Sequence, residues 1–241
     1  IVDEEYAEVK YAVIKRYATD IVGCSEKAGE YMCGKRLFRE RGTVLPNYVN
    51  TDEYSFNAER RLQKRKELGI TNELLVGHTG SIYWIKNQTF LVSLLARLLE
   101  LRPDARLMLV GEETDGGETR ALAEKLNVAD KVMFMGSRDD IPDLLCAMDI
   151  FMFPSRFEAL PIAPIEAQAA GLPCIVSTGV PEEIKATDSF ARLSLDAPAE
   201  QWIEKIAEFS AFDRTKSDLT ELKARYSAQS VAHKLNALYE S

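Results

Sequence analysis

From residue 71 to residue 177, short apolar runs alternate with helical patterns, and this alternation constrains the fold more than anything else in the chain. The runs ELLVGHTG, ARLMLVG, KVMFMG, DIFMFPS and PCIVS read as strands. Between them KNQTFLVSLLARLLEL, ETRALAEKLNV, IPDLLCAM and PIEAQAAG read as helices. Strands that stay apolar along their length are buried on both faces, which predicts βαβ units and a parallel sheet covered on both sides. Crossovers of that kind are right-handed, and ligands bind outside the carboxyl ends of the strands. Residues 71–215 are therefore predicted to form one doubly wound α/β domain.

The flanks are less regular. Tyr6, Val9, Val13 and Tyr17 stand at helical spacing and predict a helix over 3–17. DIVGCS (20–25) reads as a strand, with Ser25 able to cap a helix over EKAGEYM; GTVLPN (42–47) reads as a second strand, stopped by Pro46. Residues 51–70 predict a linker with a helix over NAERRLQKRKEL. Its Arg60, Arg61, Lys64, Arg65 and Lys66 have two readings: a solvated helix face, or peripheral contact with an anionic membrane surface. Helices over 198–210 and 217–240 close the chain, the last with Leu219, Leu222, Val231, Leu235 and Leu238 as its apolar side. The chain begins at Ile1 rather than methionine and reads as a piece of something longer.

Composition excludes several functions. Hydrophobic residues at 46% with 28% charged are those of a soluble globular protein with a real core. A net charge of −8 argues against nucleic acid as a partner. Four cysteines without a CxxC pair, and two histidines, give no zinc-binding pattern; free thiols in a reducing cytoplasm are expected instead. No apolar run approaches the roughly 18 residues of a membrane span, and no signal peptide is visible.

The stretch FPSRFEALPIAPIEAQAAGLPCIVS (153–177) carries two carboxylates, Glu158 and Glu166. A carboxylate among apolar residues is costly unless something pairs with it. DIFMFPS ends at the carboxyl edge of the sheet, which places Glu158 in a ligand-edge loop. Pro164 suits the first helical position, putting Glu166 at the third, and Gly171 with Pro173 ends the helix. Free N–H groups there suit an anion, and carboxylates accept hydrogen bonds from sugar hydroxyls. Upstream, VGHTGSIYWIKN reads as strand, Gly-containing turn and helix start. Gly77 and Gly80 let backbone approach a ligand, and Lys86 can meet phosphate as a point charge. Plainer readings stand beside these. Glu166 can serve the helix dipole and Glu158 can be an exposed loop charge. His78 reads as a packed turn residue rather than a catalyst, Asp139 and Asp140 as openers of the next helix, and Trp84 as either pocket wall or packing. His233 has no assigned role.

With its context, this stretch resembles the E-x7-E motif of retaining glycosyltransferases of the GT-B fold, group 1 (family 4), the bacterial capsule and exopolysaccharide type above all. VGHTG…KN, LLVGEE, KVMFMGSRDDIPDLLCAMDIFMFPS and LNALYE follow that family's order, and DIVGCSEKAGEYM with VLPNYVN resembles the end of its N-terminal domain. The resemblance covers residues 20–240. It implies an N-terminal, acceptor-side remnant over 1–50, a Rossmann-like nucleotide-sugar domain over 71–215, and a helix over 216–241 packing back towards the N-terminal domain.

Carried over to this chain, the resemblance assigns the ribose hydroxyls of a UDP- or GDP-sugar to Glu166 and the donor sugar to Glu158. It sets the backbone of Ala159, Leu160 and Ile162 against sugar and diphosphate, and Lys86 against the leaving diphosphate. Gly136, Ser137 and Arg138 would border the base, with Gly80 and Ser81 at the diphosphate turn. The family usually has Gly-Arg there; this chain has Gly80-Ser81, with Arg156 a candidate substitute from the opposite loop, and Asn47-Tyr48 stands for the usual Asn-Gly. No cofactor or metal is implied, since no Asp-x-Asp occurs. The expected function is transfer of a hexose-type sugar, with retention, to a surface polysaccharide or lipid-linked acceptor, in the cytoplasm or peripherally at the inner face of the membrane. The rival is a nucleotide-sugar-binding module or fragment with little or no transfer activity, motivated by Ser81 and the short N-terminal part. A phosphorylase on the same fold would need pyridoxal phosphate.

Overall fold

The computed structural model describes residues 4–240, and their side chains from Tyr11 onward. The chain divides into two compact units, one holding the residues up to Tyr48 with those from Ala224 on, the other Val49–Lys223.

The first unit opens with α1 (Glu4–Tyr17), β1 (Ile21–Gly23), α2 (Glu26–Cys33), α3 (Lys35–Arg41) and β2 (Gly42–Val44). β1 and β2 pair in parallel, and Ser25 caps α2 by accepting from the Ala28 N–H. Ile21, Cys33, Leu37 and Phe38 form a small core. The sequence pattern does not announce α3: its two apolar residues, Leu37 and Phe38, sit in a basic stretch too short to show a period. Of the predicted stripe on α1, Val13 is 51% and Tyr17 71% exposed, while the side chains of Tyr6 and Val9 lie outside those described.

The second unit runs through α4 (Thr51–Tyr54), α5 (Ala58–Glu67), β3 (Leu75–Thr79), α6 (Gln88–Leu101), β4 (Arg106–Val110), α7 (Glu118–Lys125) and β5 (Val132–Phe134). It continues with α8 (Ile141–Ala147), β6 (Ile150–Phe153), α9 (Ala163–Ala169), β7 (Cys174–Ser177), β8 (Phe190–Leu193) and α10 (Ala199–Ser210). All six strands pair in parallel in the order β5-β4-β3-β6-β7-β8. α6 buries Leu91, Val92, Leu94, Leu95 and Leu98 in one face, and α10 adds Trp202 and Ile206 to the same core. α8 and α9 pack on the sheet as well, with α5 against α8 and α4 against α9. The doubly wound expectation holds, and the sheet has one more strand than the pattern predicts. In β8 only Phe190 is buried; an edge strand of Phe-Ala-Arg-Leu carries little periodic signal.

The linker helix expected over NAERRLQKRKEL forms as α5, capped by Asn57, which accepts from the Arg60 N–H, and the short α4 precedes it. One predicted helix is broken. The closing segment splits into α11 (Thr220–Tyr226) and α12 (Ala228–Tyr239), with Ser227 capping the second. Among the described residues no helix is long and apolar enough to cross a membrane, and all four cysteines are free thiols.

The basic helix α5 is neither a solvated face nor a free cationic surface. Arg61 donates to the carbonyls of Cys146, Ala147 and Met148, and Arg65 to those of Ala147, Thr71 and Glu73. Arg214 reaches the carbonyls of Leu145, Cys146 and Met148 from the other side. These donors satisfy carbonyls that the C-terminus of α8 leaves without intrahelical partners. Asp149 accepts from Arg61 and from Arg65 at 3.2 Å, and from the Leu75 N–H at 2.7 Å. Lys64 pairs with Asp140 at 2.8 Å and Arg60 with Asp143; Lys66 alone of the five stays exposed.

One carboxylate therefore ties α5, β3 and the start of β6 together. Removing one partner of a buried charge network leaves the others uncompensated. Asp149→Ala is expected to lower the unfolding free energy by about 3–5 kcal/mol, measured by urea denaturation, whereas exposed Lys66→Ala should change it by less than about 0.5 kcal/mol.

Candidate functional site

β3 and β6 are neighbours, with Val76 opposite Ile150 and Gly77 opposite Phe151. The strand order reverses there, so the loops leaving their carboxyl ends border a crevice of the kind ligands occupy. Backbone pairing continues past the strands. The Gly80 N–H donates to the Val110 carbonyl at 2.8 Å, Ile82 to Glu112 at 2.7 Å, and Gly111 to Gly136 at 2.8 Å. Gly111 has φ +145°, and a Cβ there would lie 2.2 Å from the Gly80 carbonyl oxygen, so only glycine lets the first two loops meet. Gly77 does not serve a ligand. It lies within β3, and the space a Cβ would need holds the Met148 sulfur, 2.1 Å away.

The β3–α6 and β6–α9 loops are stitched together at several points. The Arg156 N–H donates to the Ile85 carbonyl at 2.8 Å, and the Asn87 amide to the Pro154 carbonyl at 3.2 Å. The Arg156 guanidinium donates to the Trp84 carbonyl at 3.1 Å and to Asn87 Oδ1 at 3.0 Å. Arg156 thus braces the loop that carries Ser81 and Lys86. Asn87, in the left-handed conformation at φ 59°, turns the chain into α6, so Lys86 precedes that helix instead of opening it.

Lys86 Nζ stands 2.7 Å from Glu158 Oε1, two residues 72 apart in sequence. Their side chains are 17% and 14% exposed, and Nζ also lies 4.6 Å from the centre of the Phe153 ring. The ammonium is held by a carboxylate on one side and an aromatic face on the other. The Glu158 N–H donates to the Gly179 carbonyl at 3.1 Å, fixing the backbone beneath the carboxylate. Ala159 and Leu160 follow, half-buried, and Ile162 is 38% exposed.

α9 begins at Ala163, one residue earlier than the proline rule suggests, so Pro164 is second and Glu166 fourth in the helix. The Glu166 N–H therefore already has a partner, the Ile162 carbonyl at 3.0 Å. Its carboxylate meets a residue that the sequence pattern does not reveal: the Tyr54 hydroxyl donates to Glu166 Oε1 at 2.7 Å. Burial raises the Glu166 pKa, Tyr54 opposes that rise, and Glu53 adds to it. The Tyr54 phenol is pushed well above its ordinary value, by burial first and by Glu166 next. Nothing in EYSF distinguishes Tyr54 from a packing aromatic.

The remaining predicted residues lie at the ends of β3 and β5. Ser81 is exposed, its carbonyl accepting from the Gln88 amide at 2.9 Å. Gly136 turns with φ +63° in open space, and Ser137 and Arg138 are exposed beyond it. Arg138 is held by Asp140 through two contacts of 2.8 Å. Asp140 occupies the N-cap position of α8 without a side-chain capping bond; Arg138 and Lys64 take its carboxylate and lower its pKa. Its predicted capping role is replaced by an ion-pair role. Trp84 is 69% exposed and packs in no core.

His78 is fully buried inside β3, not in the turn that follows. Its ring stacks on Phe153 at 5.1 Å. Nδ1 lies 2.9 Å from the Met152 carbonyl and Nε2 3.1 Å from the Gln88 amide nitrogen. The carbonyl can only accept, so the proton sits on Nδ1 and Nε2 accepts. Burial lowers the pKa to about 4, leaving the ring neutral.

Comparison with known proteins adds a family to this geometry. The family model "Glycosyl transferases group 1" matches residues 60–226. EpsF of Bacillus subtilis is 34% identical over 204 residues, which span 83% of this chain and 53% of that protein. The UDP-Gal:alpha-D-GlcNAc-diphosphoundecaprenol alpha-1,3-galactosyltransferase of Escherichia coli is 30% identical over 160 residues, 64% of this chain and 41% of that one. The chain thus spans about half the length of the curated relatives it matches. Among solved structures, Anabaena Alr3699/HepE in complex with UDP superposes with a TM-score of 0.84 at 19% identity, covering 100% of this chain and 70% of that chain. The fold is accordingly that of the GT-B enzymes.

The neutral His78 has a consequence for stability. As pH falls from the ordinary histidine value of about 6.5, the unfolded chain takes up a proton that the folded chain refuses until about pH 4. Stability should therefore drop across that window by roughly 3 kcal/mol. Urea midpoints measured between pH 7 and pH 4 should show this fall, and a folded His78→Gln variant should lack its share of it.

Proposed function

The chain belongs to the group 1 glycosyl transferases, and on that footing we propose that it moves a hexose-type sugar from a nucleotide-sugar donor to a surface-polysaccharide or lipid-linked acceptor, with retention of configuration. The observation that carries this reading is the Lys86–Glu158 pair, assembled from two loops at the switch point of a parallel sheet. A cation and a carboxylate side by side match the two ends of the bond to be broken, the leaving diphosphate and the sugar carbon that becomes electron-poor.

In this reading the donor diphosphate takes the place of the Glu158 carboxylate on Lys86. Glu158 is released towards the sugar hydroxyls and the oxocarbenium-like carbon. Diphosphate is a good leaving group, so fixed donors aimed at its growing charge do most of the work. The backbone of Ala159, Leu160 and Ile162 lines the approach of sugar and diphosphate, and Glu166 accepts from the ribose. Gly136, Ser137 and Arg138 border the base, and holding the acceptor oxygen on the face from which the diphosphate departs supplies the rest of the acceleration while keeping the configuration. The reaction is proposed to run without a metal ion or other cofactor. The UDP bound to the Anabaena protein and the UDP-Gal donor of the Escherichia coli enzyme favour a uridine donor.

A second reading, binding without turnover, is favoured by Ser81, which offers no second cation beside Lys86. Arg156 does not supply it in this structure, being committed to Trp84 and Asn87.

Three outcomes test the two readings. In calorimetry with UDP- and GDP-hexoses, Glu166→Ala should weaken the better donor by about 1–3 kcal/mol. With membrane-extracted acceptor, Glu158→Gln and Lys86→Ala should each lower transfer by about 10²-fold or more, chelator should leave it unchanged, and the product anomer should match the donor. Ser81→Arg should raise transfer by adding a diphosphate clamp. Tight donor binding with no transfer by wild type or by Ser81→Arg would select the binding module.

A further inference from the structure

The Glu166 carboxylate is held by a residue from outside its own helix. Tyr54, 112 residues away in sequence, donates its hydroxyl to Oε1 at 2.7 Å, and α4, which carries Tyr54, packs on α9. We propose that Tyr54 is a positioning residue of the nucleotide site, fixing the Glu166 carboxylate in one orientation so that it discriminates a ribose from a 2′-deoxyribose. This rests on the reading of Glu166 as the ribose ligand.

The geometry supports the role in three ways. A glutamate side chain otherwise loses considerable rotamer freedom on binding, and a carboxylate tethered through one oxygen has lost much of it beforehand. A carboxylate offers about four lone-pair sites. Tyr54 uses one on Oε1, which leaves Oε2 and the second site of Oε1 for the two adjacent hydroxyls of a ribose. Such a hydrogen bond to an ionised acceptor is also stronger than one between neutral groups.

The charged form needs this support. Glu166 is half-buried, and Glu53 on the same short helix as Tyr54 disfavours its negative charge. The other elements against α9 offer no compensation: β6 has no ionisable side chain, and the Cys174 thiol of β7 is directed at the carbonyls of Pro164 and Leu172. Arg214 binds the Ala170 carbonyl at the far end of the helix. Tyr54 is the group that stabilises the carboxylate. Since burial raises the Glu166 pKa, nucleotide binding should weaken as pH falls through that raised value. Without Tyr54 the loss should begin at higher pH.

The test is calorimetry on this chain with UDP and GDP and their 2′-deoxy forms, from pH 5 to pH 8, following the tighter base. Tyr54→Phe should weaken the ribonucleotide by about 5- to 10-fold and the 2′-deoxy form, which keeps one hydroxyl for Glu166, by less, so that the preference for ribose shrinks. The pH at which binding fades should move up. In a Glu166→Gln background, Tyr54→Phe should have no further effect. Glu166→Asp draws the carboxylate back from Tyr54 while keeping its charge, and gives a second route to the same loss of preference; melting curves establish that each variant is folded. If Glu166→Gln weakens the ribonucleotide while Tyr54→Phe leaves both the ribose preference and the pH profile unchanged, Tyr54 is only structural and the proposal is wrong. Equal binding by wild type and Glu166→Gln, or no binding of either diphosphate, would instead overturn the ribose assignment on which the proposal stands.

Discussion

The ligand edge of this protein depends on β3 and β6 lying side by side. The two strands are separated in sequence by two complete βα units, β4–α7 and β5–α8, which wind outward from β3. Because each crossover is right-handed, the chain must return past β3 to begin the other half of the sheet, and its first strand on that side is β6. The contacts between the β3–α6 and β6–α9 loops follow from that return. Lys86 meets Glu158, Arg156 meets Trp84 and Asn87, and Asn87 meets Pro154 because the loops after these two strands have nowhere else to go.

Holding β6 in that place requires the chain before it to be secured. Cations of α5, joined by Arg214, bind the carbonyls at the C-terminus of α8, and Asp149 ties them to the first residue of β3. Here charge serves architecture. A stretch as basic as NAERRLQKRKEL invites an interpretation in terms of an external anion, yet Arg60, Arg61, Lys64 and Arg65 are directed inward, at a helix end and at Asp140, Asp143 and Asp149. The inward commitment is possible because a helix C-terminus presents several carbonyls without partners, a demand that guanidinium groups with multiple donors meet well.

The glutamates of the 153–177 stretch show how similar side chains acquire different environments. Glu158 is balanced by a cation, and its backbone is pinned to Gly179. Glu166 is balanced by a phenol, a weaker partner that leaves its affinity for protons raised. One carboxylate is thus matched by charge and the other by a neutral donor, an arrangement that suits the proposed donor site, in which Glu158 would yield to a diphosphate and Glu166 stay in place.

The sequence by itself determined the class of fold and most of the parts. Uninterrupted apolar strands alternating with amphipathic helices admit a parallel sheet covered on both faces, and that in turn assigns the loops after β3 and β6 to its ligand edge. Lys86 and Glu158 were legible as candidates for this reason. The tertiary structure alone decided their pairing, the partner of Glu166, the inward direction of α5 and the burial of His78 within a strand. It also decided the sixth strand and the break in the closing helix. The division is physical. Periodicity records which faces are apolar, because burial acts on each residue through its own side chain. A hydrogen bond such as that between Tyr54 and Glu166 is a property of two residues far apart in the chain, and it leaves no mark on the local pattern of either.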